Sequence, residues 1–222
     1  MKTTKYMATI GLIIVAMVLG GNGVSAQRQG FKTPEEAVKK AQADLMEVLR
    51  SDKGFNLGVT SEQLANAAPA SRIEHHELDF NKLLQAESVN RLEQLSAGRQ
   101  SFTTPLVSRG QVVTVVEIAQ AAEGWNVTGL AGAAQSKDLN MLPEEIRKEG
   151  FRRVKIFEVP NLNVVVYTAE NADGELSYTN YGDKFSIREG VRTEELVRVL
   201  NEDARRFQDE FGDQVKERKL VK

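Results

Sequence analysis

Cysteine is absent from this chain of 222 residues, and it has only two histidines and one tryptophan. Without cysteine, a disulfide scaffold, a thiolate metal site and a cysteine nucleophile are all excluded. Both histidines lie in one short segment, which leaves little material for histidine-centred catalysis. Proline is scarce at five residues, while 41% of the residues are hydrophobic and 27% are charged. That composition excludes collagen-like, disordered and polytopic membrane proteins.

The sequence also lacks the short motifs that accompany common catalytic and nucleotide-binding sites. It contains no G-x-S-x-G nucleophile elbow, no H-E-x-x-H zinc motif and no glycine-rich phosphate loop. Carboxylate pairs such as Glu144-Glu145 stand at predicted helix starts, where the helix dipole explains them without chemistry. We therefore expect a protein that is not an enzyme and that carries no cofactor.

Residues 1–26 have the pattern of a cleaved signal peptide. Lys2 and Lys5 precede an apolar run over residues 10–19, and Val24-Ser25-Ala26 supplies the small residues of a cleavage site before Gln27. The alternative is a membrane anchor, but the apolar run is shorter than the roughly 20 residues that a spanning helix needs. We expect an exported protein, periplasmic or secreted, with no transmembrane segment in the mature chain.

Cleavage leaves residues 27–222 with 27 basic and 31 acidic side chains, a net charge of −4, because the signal contains two lysines and no acid. A negative chain in an exported location argues against a nucleic-acid partner. No internal repeat or linker divides these residues. We expect one domain, within which residues 55–100 form a possible semi-independent subdomain.

Two long amphipathic helices are predicted near the ends of the mature chain. The first covers residues 34–51, where Thr33 and Glu36 form a capping box and Pro34 occupies the first helical position. A shorter helix begins at Thr60. The last begins at Thr193, and its apolar residues recur every three or four positions: Leu196, Leu200, Ala204, Phe207, Phe211 and Val215.

Between these helices the hydrophobic period changes to that of strands. Residues 111–119 and 125–130 form a predicted hairpin, and residues 151–159, 162–169 and 175–181 form three further candidate strands. Residues 73–80 fit either a strand or a helix. Consecutive strands joined by short turns are antiparallel. The fold class is therefore α+β, an antiparallel meander sheet packed against N- and C-terminal amphipathic helices.

That order of elements is similar to the general order of cystatin-like folds. The similarity concerns architecture alone, since no motif of such a family is matched, and a shared architecture implies no activity.

One segment, Glu74-His75-His76-Glu77-Leu78-Asp79, gathers side chains that bind metals. If it is a strand, alternation places His75, Glu77 and Asp79 on one face and His76 on the other, beside Leu78. One imidazole and two carboxylates suit a divalent cation that activates water. The competing interpretation is a solvated strand face with His76 against the core.

Three functional hypotheses follow. The first is an exported non-catalytic module that binds an unknown protein or small ligand through a sheet face or its loops. The second is a metal-assisted hydrolase that uses His75, Glu77 and Asp79. The third makes the last helix an oligomerisation element. Trp125, at the start of a strand, is either a ligand anchor or, as its apolar neighbours favour, part of a core edge.

Overall fold

The computed structural model describes residues 30–51, 58–130 and 132–216, so the predicted signal peptide lies outside the described residues. The helices are α1 (Pro34–Ser51), α2 (Ser61–Ala65), α3 (Phe80–Leu84), α4 (Ala133–Met141), α5 (Glu144–Lys148) and α6 (Thr193–Lys216), with 3-10 turns at Leu92–Leu95 and Pro160–Leu162. The strands are β1 (Ala68–Pro69), β2 (Ile73–Leu78), β3 (Ser96–Ser108), β4 (Gln111–Ala121), β5 (Gly124–Leu130), β6 (Val154–Val159), β7 (Val164–Asn171), β8 (Gly174–Tyr178) and β9 (Val191–Arg192).

The strands form one mixed sheet in the order β5-β4-β3-β2-β6-β7-β8-β9, with β1 beside β3. Strands β2 and β6 are parallel, whereas the other pairs are antiparallel. The predicted α+β class is therefore confirmed, and the sheet is mostly antiparallel. The predicted single antiparallel meander is wrong in one respect, because the parallel pair β2–β6 interrupts it. Two meanders, β2–β5 and β6–β9, meet at the parallel pair.

Helix starts follow the local sequence closely. Helix α1 has the predicted bounds, and the backbone N–H of Glu36 donates to the Thr33 hydroxyl at 3.2 Å. At α2, Thr60 and Gln63 form a reciprocal capping box, because each side chain accepts a hydrogen bond from the backbone N–H of the other. These caps satisfy N–H groups that a helix start leaves unpaired.

Each face of the sheet carries its own helices. We call the face of Phe102, His76 and Phe157 the front face, and the face of Ile73 and Ile156 the back face. Helices α1 and α2 pack on the front of β3–β5, and α3 and α6 pack on the front of β2, β6 and β7. Helix α4 covers the back face, where the loop that carries Ile187 joins it.

Three groups of buried side chains correspond to this arrangement. On the front, beside α1, the main members are Ala37, Val38, Ala41, Leu45, Leu64, Leu106, Val116 and Ile118. On the front, beside α6, they are Leu78, Leu83, Leu92, Phe157, Val166, Leu196, Val197 and Leu200. On the back they are Ile73, Val115, Leu139, Leu142, Ile156, Tyr167, Tyr178 and Ile187.

The longest strand, β3, was not predicted from the sequence. Pro105 lies inside it, which normally argues against a paired strand. The carbonyl of Pro105 accepts a hydrogen bond from the N–H of Ala70 at 2.8 Å, between β1 and β2. The ring nitrogen of Pro105 therefore faces the gap between β1 and β2, where, among the described residues, β3 has no strand to which a backbone N–H would donate.

The predicted strand over residues 151–159 starts three residues later, at Val154. Gly150 and Phe151 both adopt positive φ, 67° and 64°, and so form a turn instead.

Candidate functional site

The end of β2 separates Asp79 from His75 and Glu77, the other two predicted metal ligands. The pairing of β2 with β3 is irregular between His76 and Leu78, so strict alternation does not continue to Asp79. The Asp79 carboxylate caps α3, accepting hydrogen bonds from the N–H groups of Asn81 at 2.8 Å and Lys82 at 3.1 Å. Asp79 is thus occupied as a helix cap.

His75 lies on the back face of β2, with its side chain 16% exposed. Its Nε2 is 3.5 Å from Glu158 Oε2, and the imidazole lowers the pKa of Glu158 below that of an ordinary glutamate. Its Nδ1 is buried and has no hydrogen-bond partner among the described residues. In the described part of the chain no group of three or more His, Asp or Glu side chains could hold a metal ion. A site at His75, Glu77 and Asp79 stays a prediction without geometric support.

His76 lies on the front face, buried against the core. Its ring stacks on Phe157 with the centroids 5.2 Å apart, and its Nε2 is 3.3 Å from Glu74 Oε2. That placement suits packing better than catalysis, since the imidazole has little access to solvent.

The middle of the front face is covered less than its two sides. Helices α1 and α2 lie over β3–β5 on one side, and α3 and α6 lie over β2, β6 and β7 on the other. Glu74, Phe102 and Lys155, in the middle of the face, stay partly exposed between these two groups of helices. Exposed and half-buried side chains occupy this surface, which we call the central strip: Arg72, Glu74, Glu93, Gln100, Phe102, Trp125 and Lys155. The backbone register places Phe102, Glu74 and Lys155 side by side across β3, β2 and β6.

One half of the central strip is a charge network around Lys155. Its Nζ donates to Glu93 Oε2 at 2.8 Å and is 3.5 Å from Glu74 Oε2. The hydrogen bond from Lys155 lowers the pKa of Glu93, and the nearby charge acts in the same direction. Burial opposes the charge of Lys155, but the hydrogen bond to Glu93 and the two carboxylates outweigh it and raise the pKa of Lys155.

The other half is an arginine whose guanidinium lies over two aromatic rings. The guanidinium carbon of Arg72 is 5.8 Å from the ring centroid of Phe102 and 5.7 Å from that of Trp125. The two rings are themselves 5.5 Å apart. Glu35 lies 3.8 Å from the guanidinium, beyond hydrogen-bond distance. Among the described residues the guanidinium donates no hydrogen bond, and its side chain is 38% exposed.

Trp125 is held in place by its backbone as well as by its ring. Its N–H and C=O both pair with Phe31, each at 2.8 Å, and its ring packs at the edge of the core beside α1. The indole is partly buried, so the predicted core-edge position and a surface role are compatible.

A buried carboxyl group links three elements on the same face. Glu175 Oε1 accepts hydrogen bonds from the N–H of Leu92 and the hydroxyl of Thr193, each at 3.0 Å. The hydroxyls of Thr193 and Ser177 are 2.9 Å apart. Burial raises the pKa of Glu175, although the hydrogen bonds oppose that effect. Thr193, predicted as a helix cap, thus bonds to the sheet through its hydroxyl.

No protein-family model, curated protein or solved structure matched this chain in the three comparisons made. The described helices include none that is both long and apolar enough to span a membrane. Since no relative assigns a role to the central strip, its contacts and charges are the basis for the proposal below.

Sequence reasoning selected Trp125 but missed Arg72 and Phe102 as members of a site. It placed Lys155 in a basic stretch on an exposed strand face, without its partner Glu74. Phe102 belongs to the strand that was not predicted, and Lys155 is brought to Glu74 by a parallel pairing of strands about 80 positions apart. The alternation of Phe102, Thr104 and Leu106 was the available signal for β3.

Proposed function

We propose that residues 27–222 form an exported, non-catalytic binding module and that its binding surface is the central strip. The observation that carries this proposal is the position of Arg72, whose guanidinium makes cation–π contacts with Phe102 and Trp125 and donates no hydrogen bond among the described residues. Aromatic residues and arginine dominate binding energy at protein interfaces. A partly exposed group of this kind beside a polar margin resembles an interface centre with its rim.

The charge network supports binding over catalysis. An efficient general acid or base has a pKa near the working pH. Lys155 lowers the pKa of Glu93, and the two carboxylates raise the pKa of Lys155. Both pKa values therefore move further from pH 7, and both side chains stay charged. Fixed charges of this kind provide specificity and orientation in a complex.

Export and the cystatin-like general order belong to the same proposal. The signal pattern of residues 1–26 supports an envelope or extracellular location, and the helices that bracket the strands in sequence support the architectural analogy. Neither implies a particular ligand.

The proposal is tested by site-specific photo-crosslinking in the native compartment of the protein. A photo-reactive residue replaces Gln100, which is exposed on β3 opposite His76, or, as a matched control, Arg152, which is exposed in the turn before β6. We expect a reproducible adduct from position 100 but not from position 152. The adduct should disappear when Trp125→Ala is introduced.

Two results would contradict the proposal. One is equal adduct formation from positions 100 and 152. The other is turnover of generic ester, peptide or phosphate substrates by the purified protein at a rate that survives repeated purification.

A further inference from the structure

We propose that Arg72 is an anion-binding residue and that the ligand of the central strip presents a carboxylate next to an apolar group. This inference rests on the proposed binding function and specifies its ligand class. It follows from the surroundings of Arg72, from the position of Glu35 and from the charges in the rest of the strip.

The guanidinium is oriented before any ligand arrives. The rings of Phe102 and Trp125 both lie within 6 Å of it, the range of a cation–π contact. A cation–π contact uses none of the N–H donors of the guanidinium, whose planar fork matches the two oxygens of a carboxylate. An arginine whose side chain is already ordered loses less conformational entropy on binding. In the described structure these donors have no hydrogen-bond acceptor.

The position of Glu35 shows that a carboxylate can approach this guanidinium. Glu35 lies in the first turn of α1, with its side chain 74% exposed and its Oε1 3.8 Å from Arg72. A carboxylate there is also stabilised by the positive end of the helix dipole, so it does not depend on Arg72. Glu35 is therefore an internal competitor that an incoming carboxylate can displace.

The remaining charges favour a singly charged anion over phosphate. Lys155 is already paired with Glu74 and Glu93, so the strip itself is formally neutral, and Glu35 beside Arg72 brings the formal charge of the site to −1. A dianion is repelled more strongly by such surroundings than a monoanion. The partly exposed rings of Phe102 and Trp125 add apolar surface beside Arg72, which suits a carboxylate attached to an apolar group.

The test uses N-acetylphenylalanine as the carboxylate probe and its amide as the uncharged control. Trp125 is the one tryptophan of the sequence, so its fluorescence reports on the site itself. Ligand-observed saturation-transfer NMR gives a second readout that is independent of fluorescence. We expect saturable binding of the carboxylate and at least about tenfold weaker binding of the amide.

Substitutions then identify the residue that is responsible. Arg72→Gln should weaken carboxylate binding at least about tenfold, and Arg72→Lys should restore only part of it because an ammonium group lacks the fork. Glu35→Gln should strengthen binding several-fold by removing the competitor. Arg198→Gln, an exposed change on α6, should have no effect.

The inference is overturned if the carboxylate does not bind in either readout, if the amide binds equally well, or if folded Arg72→Gln binds like the wild type. Inorganic phosphate that binds more tightly than the carboxylate would overturn the carboxylate assignment. If the binding tests fail while the photo-crosslinked adduct from position 100 persists, only the carboxylate inference is wrong. If that adduct is also absent, the proposed function fails as well.

Discussion

Two cations on the front face illustrate how surroundings decide the role of a residue. Lys155 lies between two carboxylates, which satisfy its charge. Arg72 has two aromatic rings beneath it and a carboxylate beyond hydrogen-bond distance. The first cation therefore stabilises its own neighbours, whereas the second has donors to offer to a ligand.

Glu175 provides a prediction at the residue scale. Its buried carboxyl group accepts hydrogen bonds from Leu92 and Thr193. Glu175→Ala leaves those donors unpaired and should cost about 1–3 kcal/mol of unfolding free energy. Glu175→Gln keeps an acceptor oxygen and removes the charge, so it should be tolerated better.

The pH dependence of Glu175 distinguishes these effects. Because burial raises its pKa in the folded state, the folded protein binds the proton more tightly than the unfolded chain. Stability from this group is therefore greatest at low pH, and it falls as the pH rises from the ordinary glutamate value through the raised one. Urea unfolding over this range should show that the unfolding free energy of Glu175→Gln increases relative to that of the wild type as the pH rises. A constant difference would contradict the assignment.

Asp79 allows the metal hypothesis to be tested separately from helix capping. Asparagine caps a helix about as well as aspartate, whereas alanine does not. We expect Asp79→Asn to leave the unfolding free energy and the metal content unchanged, and Asp79→Ala to cost about 0.5–2 kcal/mol. Elemental analysis after zinc loading and dialysis gives the metal content. Equimolar zinc that is lost in His75→Gln, Glu77→Gln and Asp79→Asn would establish the metal site.

At the scale of elements, the parallel pair β2–β6 joins the two meanders. Parallel neighbours need a long crossover connection, and here it contains α3, β3, β4, β5, α4 and α5. The pairing is what brings Lys155 to Glu74 and Phe157 to His76. The charge network thus depends on a contact between distant parts of the chain.

Helix α6 provides a prediction at this scale. Leu200 is fully buried against the sheet, and Phe211 near the end of the helix is 37% exposed. Leu200→Ala should cost about 2–5 kcal/mol because it leaves a cavity. Phe211→Ala, the matched control, should cost about 1 kcal/mol or less. Thermal and urea unfolding measure both. Equal losses would mean that the outer part of α6 is packed as tightly as the inner part.

The same burial bears on the oligomerisation hypothesis. Leu196, Leu200 and Ala204 are committed to the front core. Further along α6, Phe207 contacts both Phe80 and Phe211. Among the described side chains of α6, Phe211 is the large apolar one that stays exposed to another chain. The oligomeric state stays a prediction for mass measurement.

At the scale of the whole molecule, export gives a further prediction. Expression of the full chain in a host with a general secretion pathway should yield a mature protein that begins at Gln27 and carries a formal net charge of −4. Intact mass and N-terminal sequencing of the envelope and secreted fractions measure this. A chain that keeps residues 1–26 in the membrane fraction would favour the anchor alternative.

The features that the sequence determined by itself are those set by nearby residues. The bounds of α1, the helix start at Thr60 and the hairpin of β4 and β5 depend on contacts within a few positions, and all three were predicted. Hydrogen bonds and hydrophobic periods of that range can be found in a single sequence.

Only the tertiary structure decided the central strip. Strand β3 escaped prediction because the position of Pro105 becomes acceptable only beside the gap between β1 and β2. Arg72, Phe102 and Trp125 come from separate strands or their approaches, and their meeting depends on the register of the sheet. Register follows from the burial of a whole face, a long-range property that local periodicity does not encode.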